Sequence, residues 1–227
     1  MILSHITTMK MNSVRFVSIE GNIGSGKSTL LSKLKDEFKD NALIVFLKEP
    51  VDEWEQIKDE QGNTMLQKFY EDQTKYSFSF QMMAFISRFN IFKQAILENP
   101  KAIIFVTERS LDTDRYVFTQ MLYDSGKIES VNYQIYLKWV TTFSHEFPIN
   151  QVIYVKTTPE ICHYRIAKRS RNGENVIPLE YLTECNKYHA NMMAKYENQL
   201  ILDGNMDIFE NEDQLVSWVD LITQFIL

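Results

Sequence analysis

Cysteine, proline and glycine are all scarce in this 227-residue chain, with two, five and seven copies respectively. Two cysteines, Cys162 and Cys185, both in stretches that read as helices, are too few for a disulfide framework. Nothing at the start resembles a secretory apolar core, so a reduced, cytoplasmic protein is expected. The opening stretch, residues 1–13, holds one lysine and no arginine, which fits a mitochondrial transit peptide poorly. It is expected to be a flexible tail, with Met9 and Met11 as alternative starts. No apolar run is long enough to span a bilayer, so no membrane partner is expected. The formal charge is −6 and no basic patch stands free of acidic neighbours, which argues against nucleic acid as a partner. With 44% hydrophobic residues and neither repeat nor low-complexity segment, residues 14–227 are expected to form one domain.

Short apolar, β-rich runs at residues 14–20, 42–48, 102–107, 151–156 and 199–202 alternate with helical patterns. Continuous apolar strands with helices between them predict a doubly wound α/β fold, a five-stranded parallel sheet with helices on both faces. Helices are expected at 27–38, 65–97, 112–124, 131–146, 159–168, 178–198 and 211–225. The second of these is apolar around much of its circumference and must be covered on several sides.

Three of the seven glycines fall in Gly21-Asn22-Ile23-Gly24-Ser25-Gly26-Lys27-Ser28, followed by Thr29. This is the phosphate-loop pattern, placed between strand and helix as its chemistry requires. Backbone N–H groups wrap phosphate, Lys27 reaches its outer oxygens, and Ser28 can hold Mg²⁺. The motif alone leaves GTPases, ATPases and kinases open. Glu108, beside the third strand, is placed to complete the Mg²⁺ site, or else caps the following helix. Glu49 emerges at the same sheet edge in Glu49-Pro50-Val51-Asp52-Glu53-Trp54. There it is either a surface acid or a carboxylate positioned to take the proton of an attacking alcohol. On the long apolar stretch Tyr70, Gln81 and Arg88 are spaced to share one stripe of a single helix. They form either an internal polar network or a ligand-facing set, and a glutamine amide suits a nucleobase edge.

Together IEGNIGSGKST, EPVDEW, YSFSFQMMAFISR, ERSLDTDRYVF, RIAKRSRNGE and IPLEYL resemble, in order, the motifs of the deoxyribonucleoside kinases of the deoxycytidine, deoxyguanosine and insect-type group. The resemblance spans roughly residues 14–196. It implies a P-loop NTPase-type kinase that transfers the γ-phosphate of ATP, with Mg²⁺, to the 5′-hydroxyl of a deoxynucleoside, and that acts as a homodimer in nucleotide salvage. By similarity Glu49 and Arg109 attend the hydroxyl, Gln81 the base edge, and Phe118 stacks on the base. Val51, Trp54, Phe69, Phe80 and Ala84 would line the pocket, while Tyr70 and Glu174 would hold the sugar 3′-hydroxyl. Arg165, Arg169 and Arg171 resemble an arginine lid over ATP, with Asn172 and Gly173 lending it mobility. Ala84, Arg88 and Asp114 match the deoxycytidine and purine branch, so thymidine is expected to be a poor substrate. The short connection after Trp54, Leu111-Asp112 and Phe69 depart from the vertebrate pattern and leave the preferred base open. Alternatives are a thymidylate-kinase-like monophosphate kinase and a catalytically silent scaffold subunit.

Overall fold

The computed structural model describes residues 14–169, 177–206 and 212–227. Strand β1 (Arg15–Glu20) is buried at five of its six residues, as a central parallel strand must be. It lies between β3 (Ile104–Glu108) and β4 (Ile149–Lys156), flanked in turn by β2 (Ile44–Leu47) and β5 (Gln199–Asp203). The parallel sheet has the order β2-β3-β1-β4-β5. Because strand side chains alternate, β1 feeds both faces. Val17 and Ile19 pack with Leu30, Leu31 and Leu34 of α1 (Lys27–Glu37) and with a C-terminal helix bearing Trp218, Ile222 and Ile226. Phe16 packs on the opposite face against Phe92, Phe105 and Phe147. Glu20, also fully buried, lies on the same face as Phe16, at the carboxyl end of the strand.

After β2, a four-residue helix α2 (Val51–Trp54) forms where the sequence suggested only a pocket wall. The single long helix expected at 65–97 is two helices, α3 (Met65–Glu71) and α4 (Gln73–Glu98). Asp72 separates them: its backbone leaves the helical region at φ −144, ψ 84, and its side chain accepts from the Lys75 N–H to start α4 afresh. A reciprocal Thr64 and Gln67 capping box starts α3. Tyr70 therefore does not share a helix stripe with Gln81 and Arg88, contrary to the periodicity argument.

The helix expected from residue 112 begins as α5 (Leu111–Thr113), widens to a π-helical segment (Asp114–Thr119), and resumes as α6 (Gln120–Asp124). Then come α7 (Ser130–Phe143), closed by a 3₁₀ turn (Ser144–Glu146), α8 (Pro159–Arg169) and α9 (Leu179–Met193). The last is α10 (Glu212–Ile226). Helices α4 and α7 cover the second sheet face through Phe85, Phe89, Tyr136 and Val140. Among the described residues no helix is long and apolar enough to cross a membrane.

Candidate active site

The phosphate loop turns between β1 and α1 on three left-handed glycines, Gly21, Gly24 and Gly26, with φ of 146, 79 and 101. At Gly24 space as well as φ demands glycine, since a Cβ would lie 2.6 Å from the Cys162 carbonyl of α8. The loop is thus pressed onto α8. Lys27 is buried, and its ammonium donates to the Asn22 carbonyl at 2.7 Å. Burial and then Arg109 lower its pKa to about 8. Asn22 in turn donates to the Leu182 carbonyl of α9 at 2.8 Å, tying the loop across the site. Ser28 Oγ donates to Glu108 Oε1 at 2.6 Å, so the two sequence-predicted magnesium ligands converge. A hydroxyl and a carboxylate are hard oxygen donors, the set Mg²⁺ takes alongside phosphate and water. That chemistry fits the ion.

Opposite the loop stand two carboxylates and two arginines. Glu49, just past β2, receives Arg88 at 3.0 Å and Arg109 at 3.1 Å on one oxygen, Oε1. Burial would raise the Glu49 carboxyl, but Arg109, Arg88 and Lys27 outweigh it and hold it below the usual carboxylate range. Arg88 also grips Asp114, Nε to Oδ2 at 2.9 Å and NH2 to Oδ1 at 3.3 Å, and donates from NH1 to the Glu108 carbonyl at 2.8 Å. Burial alone would depress Arg88, yet Asp114 and Glu49 raise its pKa above the ordinary guanidinium value. The arginine remains cationic. It ties the carboxylate of the sheet edge to Asp114 in the π segment.

Arg109 is the one non-glycine with positive φ among the described residues, at 64. A left-handed arginine costs on the order of 1 to 3 kcal/mol and persists where surrounding contacts over-determine it. Three contacts do so here. The Arg109 N–H donates to the Ile19 carbonyl at 3.0 Å, its carbonyl accepts from Thr107 Oγ1 at 2.6 Å, and NH1 donates to the Gly21 carbonyl at 3.0 Å. The turn is further fixed by Glu20, which accepts from Ser18 and Ser110 on Oε1 at 2.5 and 2.7 Å and from Thr113 on Oε2 at 2.6 Å.

Beside these groups opens a cleft at the carboxyl edge of the sheet. Glu49, Val51, Trp54, Phe69, Tyr70, Phe80, Gln81, Ala84, Arg109, Asp114 and Phe118 all line it, together with Ser28 and Glu108. Tyr70 arrives from α3 and Gln81 from α4, so the two reach one cleft from separate helices. Phe69 and Phe80 stack at 4.6 Å, and Trp54 meets Phe80 edge-on at 5.5 Å, anchored by Nε1 donating to Ser87 Oγ at 2.8 Å. Gln81 Oε1 accepts from Thr119 Oγ1 at 3.4 Å, which orients the amide. Of the expected nucleoside contacts that are described, Arg88 alone is absent from the lining, because Asp114, Glu49 and the Glu108 carbonyl occupy its donors.

A second cleft, of about 360 Å³, runs along Gly24, Ser25, Gly26, Lys27, Ser28 and Thr29 to Arg165, Arg169, Gly204 and Trp218. Arg165 is partly committed to backbone, with NH1 donating to Gly204 at 2.7 Å and NH2 to Met206 at 3.1 Å. Arg169 borders both clefts. Arg171, Asn172, Gly173 and Glu174 lie outside the described residues, as does the tail at 1–13.

Sequence reasoning missed Glu20, Tyr181 and His189. Tyr181 lines the first cleft, edge-on to Tyr70 at 6.3 Å, and was legible only as part of IPLEYL. His189, fully buried, meets Arg109.

A parallel sheet whose central strand feeds a glycine loop, with facing carboxylates at its carboxyl edge, defines a P-loop NTPase-type α/β fold of the kinase kind. Comparison with known proteins narrows this. Residues 17–227 match the family model described as deoxynucleoside kinase. A probable deoxycytidine kinase of fowlpox virus (strain NVSL) is 33% identical over 92% of this chain and 87% of its own length. The deoxycytidine kinase of Homo sapiens is 32% identical over 91% and 90%, and the mitochondrial deoxyguanosine kinase of Xenopus laevis 29% identical over 91% and 83%. The chain belongs to the deoxynucleoside kinase family, whose members transfer phosphate to nucleosides.

Proposed function

We propose that this protein transfers the γ-phosphate of ATP to the 5′-hydroxyl of a deoxynucleoside in nucleotide salvage, preferring deoxycytidine or a purine deoxynucleoside to thymidine. The observation that carries the reading is Glu49: a carboxylate paired with Arg109 at 3.1 Å, lining the same cleft as Ser28 and Glu108 of the phosphate-loop side. The acceptor hydroxyl donates to Glu49, which aligns it. Held below the ordinary carboxylate range, Glu49 is a weak base. Its proton therefore transfers late, in keeping with a loose phosphoryl transition state in which positioning and charge matter most. Arg109 and Lys27 neutralise the phosphoryl oxygens, helped by Arg165, Arg169 and Arg171. Ser28 and Glu108 would hold Mg²⁺, which supplies charge neutralisation along the triphosphate when bound.

Gln81 reads the base edge, Phe118 stacks on the base, and Tyr70 with Glu174 holds the 3′-hydroxyl. The buried pairing of Asp114 with Arg88 supports discrimination against thymidine. A carboxylate braced beside the base leaves a hydrogen-bond acceptor where the thymine methyl would need apolar space. Support for the cytosine or purine branch also comes from the names of the relatives, deoxycytidine and deoxyguanosine kinases. The decisive experiment measures kcat/KM for all four deoxynucleosides with ATP and Mg²⁺. Thymidine as best substrate overturns the base preference; transfer to dTMP alone, or no transfer, overturns the reaction.

The pH profile follows from the same charges. Protonating Glu49 abolishes the hydroxyl's acceptor, so the acid limb of kcat/KM for the nucleoside is expected below about pH 4.3, the ordinary glutamate value. In the free enzyme Lys27 loses its proton around its pKa of about 8, so kcat/KM for ATP is expected to fall above that pH. Bound phosphate raises the Lys27 pKa, and kcat extends further into alkali. Steady-state rates across this range test both limbs, and an acid limb near neutrality removes Glu49 from the role.

The protein acts as a homodimer built on the long helix Gln73–Glu98 and its neighbour α7. Val131, Ile135 and Trp139, four residues apart on α7, are 64%, 43% and 43% exposed and form one apolar stripe. Sedimentation should give twice the chain mass of 26.8 kDa, and Trp139→Glu should shift the species toward monomer. A wild-type monomer at micromolar concentration contradicts the assembly. Residues 14–227 act as one catalytic domain in the cytoplasm.

A further inference from the structure

His189 enters the site from α9, fully buried, and nothing in the reaction described so far uses it. Its two ring nitrogens have different partners. Nδ1 lies 2.8 Å from the Cys185 carbonyl and Nε2 lies 3.3 Å from Arg109 NH1. A carbonyl oxygen can only accept, so Nδ1 carries the proton. Nε2 is then a lone pair, and the Arg109 N–H donates to it. The reverse tautomer would set two donors against each other at Arg109 and two lone pairs against each other at the Cys185 carbonyl. Burial, then the Arg109 cation, keep the ring neutral well below its ordinary pKa. The same ring stands edge-on to Phe118, centroids 6.1 Å apart at 88°, while the Arg109 guanidinium lies 4.9 Å from the centre of the Phe118 ring.

The donors of Arg109 show what this contact accomplishes. Nε is taken by Glu49, and NH1 is divided between the Gly21 carbonyl and His189. Among the described residues no partner binds NH2, on a side chain that lines the cleft. A guanidinium is planar, so fixing Nε and both hydrogens of NH1 fixes the direction of NH2. Without His189 one in-plane restraint is lost on a side chain whose backbone is already strained at φ 64.

The geometry points to His189 as a positioning residue: its neutral Nε2 accepts from Arg109 and its ring edge supports Phe118, aligning together the group that meets the phosphoryl oxygens and the ring beside the base. The inference rests on the role proposed for Arg109. It adds that one histidine, remote in sequence from both, sets their geometry.

Two near-isosteric variants separate positioning from mere filling of space. In His189→Asn the amide N–H₂ takes the place of Nδ1–H toward Cys185, but no acceptor reaches Arg109. In His189→Gln the longer side chain carries its carbonyl oxygen to the place of Nε2. With deoxycytidine and ATP, His189→Asn should lower kcat about 10- to 100-fold, the cost of a misplaced reacting group, while KM for ATP changes less than about threefold. His189→Gln should recover most of kcat. Equal losses in both variants, tracking loss of Tm, overturn the inference and leave His189 as packing.

A second measurement does not depend on turnover. In ¹⁵N-labelled wild-type protein, His189 should show the neutral Nδ1–H tautomer with no titration from pH 5 to 8. The Arg109 Nε–H resonance should be shifted in His189→Asn and restored in His189→Gln. An Nε2–H tautomer, or an Arg109 resonance indifferent to both changes, refutes the contact. If wild-type protein phosphorylates no deoxynucleoside, the proposed function fails while these resonances still decide the positioning.

Discussion

Glu49→Gln lowers kcat by about 10² to 10⁴ while the dissociation constant of the deoxynucleoside changes little. Glutamine keeps the shape of the side chain beside Val51 and Trp54, so the cleft retains its walls. It loses the charge that Arg88 and Arg109 share at 3.0 and 3.1 Å. The hydroxyl then meets an amide that cannot take its proton, and Arg109 faces the phosphoryl group without the counter-charge that aligned it. Single-turnover rates and nucleoside binding by calorimetry give the two numbers separately. A near-normal rate eliminates Glu49 from the chemistry, whereas lost binding with the rate preserved at saturation makes it a substrate-holding residue.

Asp114→Ala is expected to have the largest effect on stability. Arg88 is 2% exposed, and removing Asp114 strips it of two of its charge-assisted contacts. Breaking a buried pair on one side costs about 3 to 5 kcal/mol. For a chain of this length that lowers Tm by roughly 6 to 20 °C. The paired change Arg88→Met with Asp114→Ala removes both charges, and its Tm is expected above that of Asp114→Ala alone. It also leaves apolar space beside Ala84, so kcat/KM for thymidine should rise relative to deoxycytidine. Because Arg88 is one of the cations holding the Glu49 carboxyl down, the acid limb of the double variant should move to higher pH. Calorimetry and the substrate panel read these outcomes. A single variant as stable as wild type removes the pair from stability, and an unchanged thymidine ratio removes it from base choice.

The parts of this architecture that arise locally were legible in the chain. Apolar runs gave the five strands within about two residues, and the phosphate loop announced itself because its glycines, Lys27 and Ser28 act within one turn. Arg88 with Asp114 was readable only through the family pattern, yet the two meet at 2.9 Å. Three features resisted reading for a physical reason. The polar run Glu71-Asp72-Gln73-Thr74-Lys75 interrupts the apolar pattern, but one polar turn also fits the exposed face of a continuous helix, and the side-chain cap on Lys75 is what shows the break. The π segment at Asp114–Thr119 rests on a shift of hydrogen-bond partner that residue type does not encode. His189 and Glu20 each take a decisive partner from far away in the chain, Arg109 and Ser110, so each looks like a surface residue until the fold buries it. A carboxylate ending a central strand, with hydroxyls at Ser18, Ser110 and Thr113, was a signal available only once the strand order was known.

That strand order has a consequence for how the protein can change over generations. The loops and helices following β2 and β3 build most of the first cleft, joined by Arg169 and Tyr181 from beyond β4, those following β4 and β5 border the second, and β1 stands between them carrying the loop common to both. Mutations that remodel the acceptor side therefore accumulate mostly on one flank of the sheet. A lineage can explore new nucleoside specificities while most of its donor half is inherited intact, and a chimera exchanging the stretch from β2 to α6, beyond the shared loop, should keep its donor habits while adopting those of the acceptor half it receives.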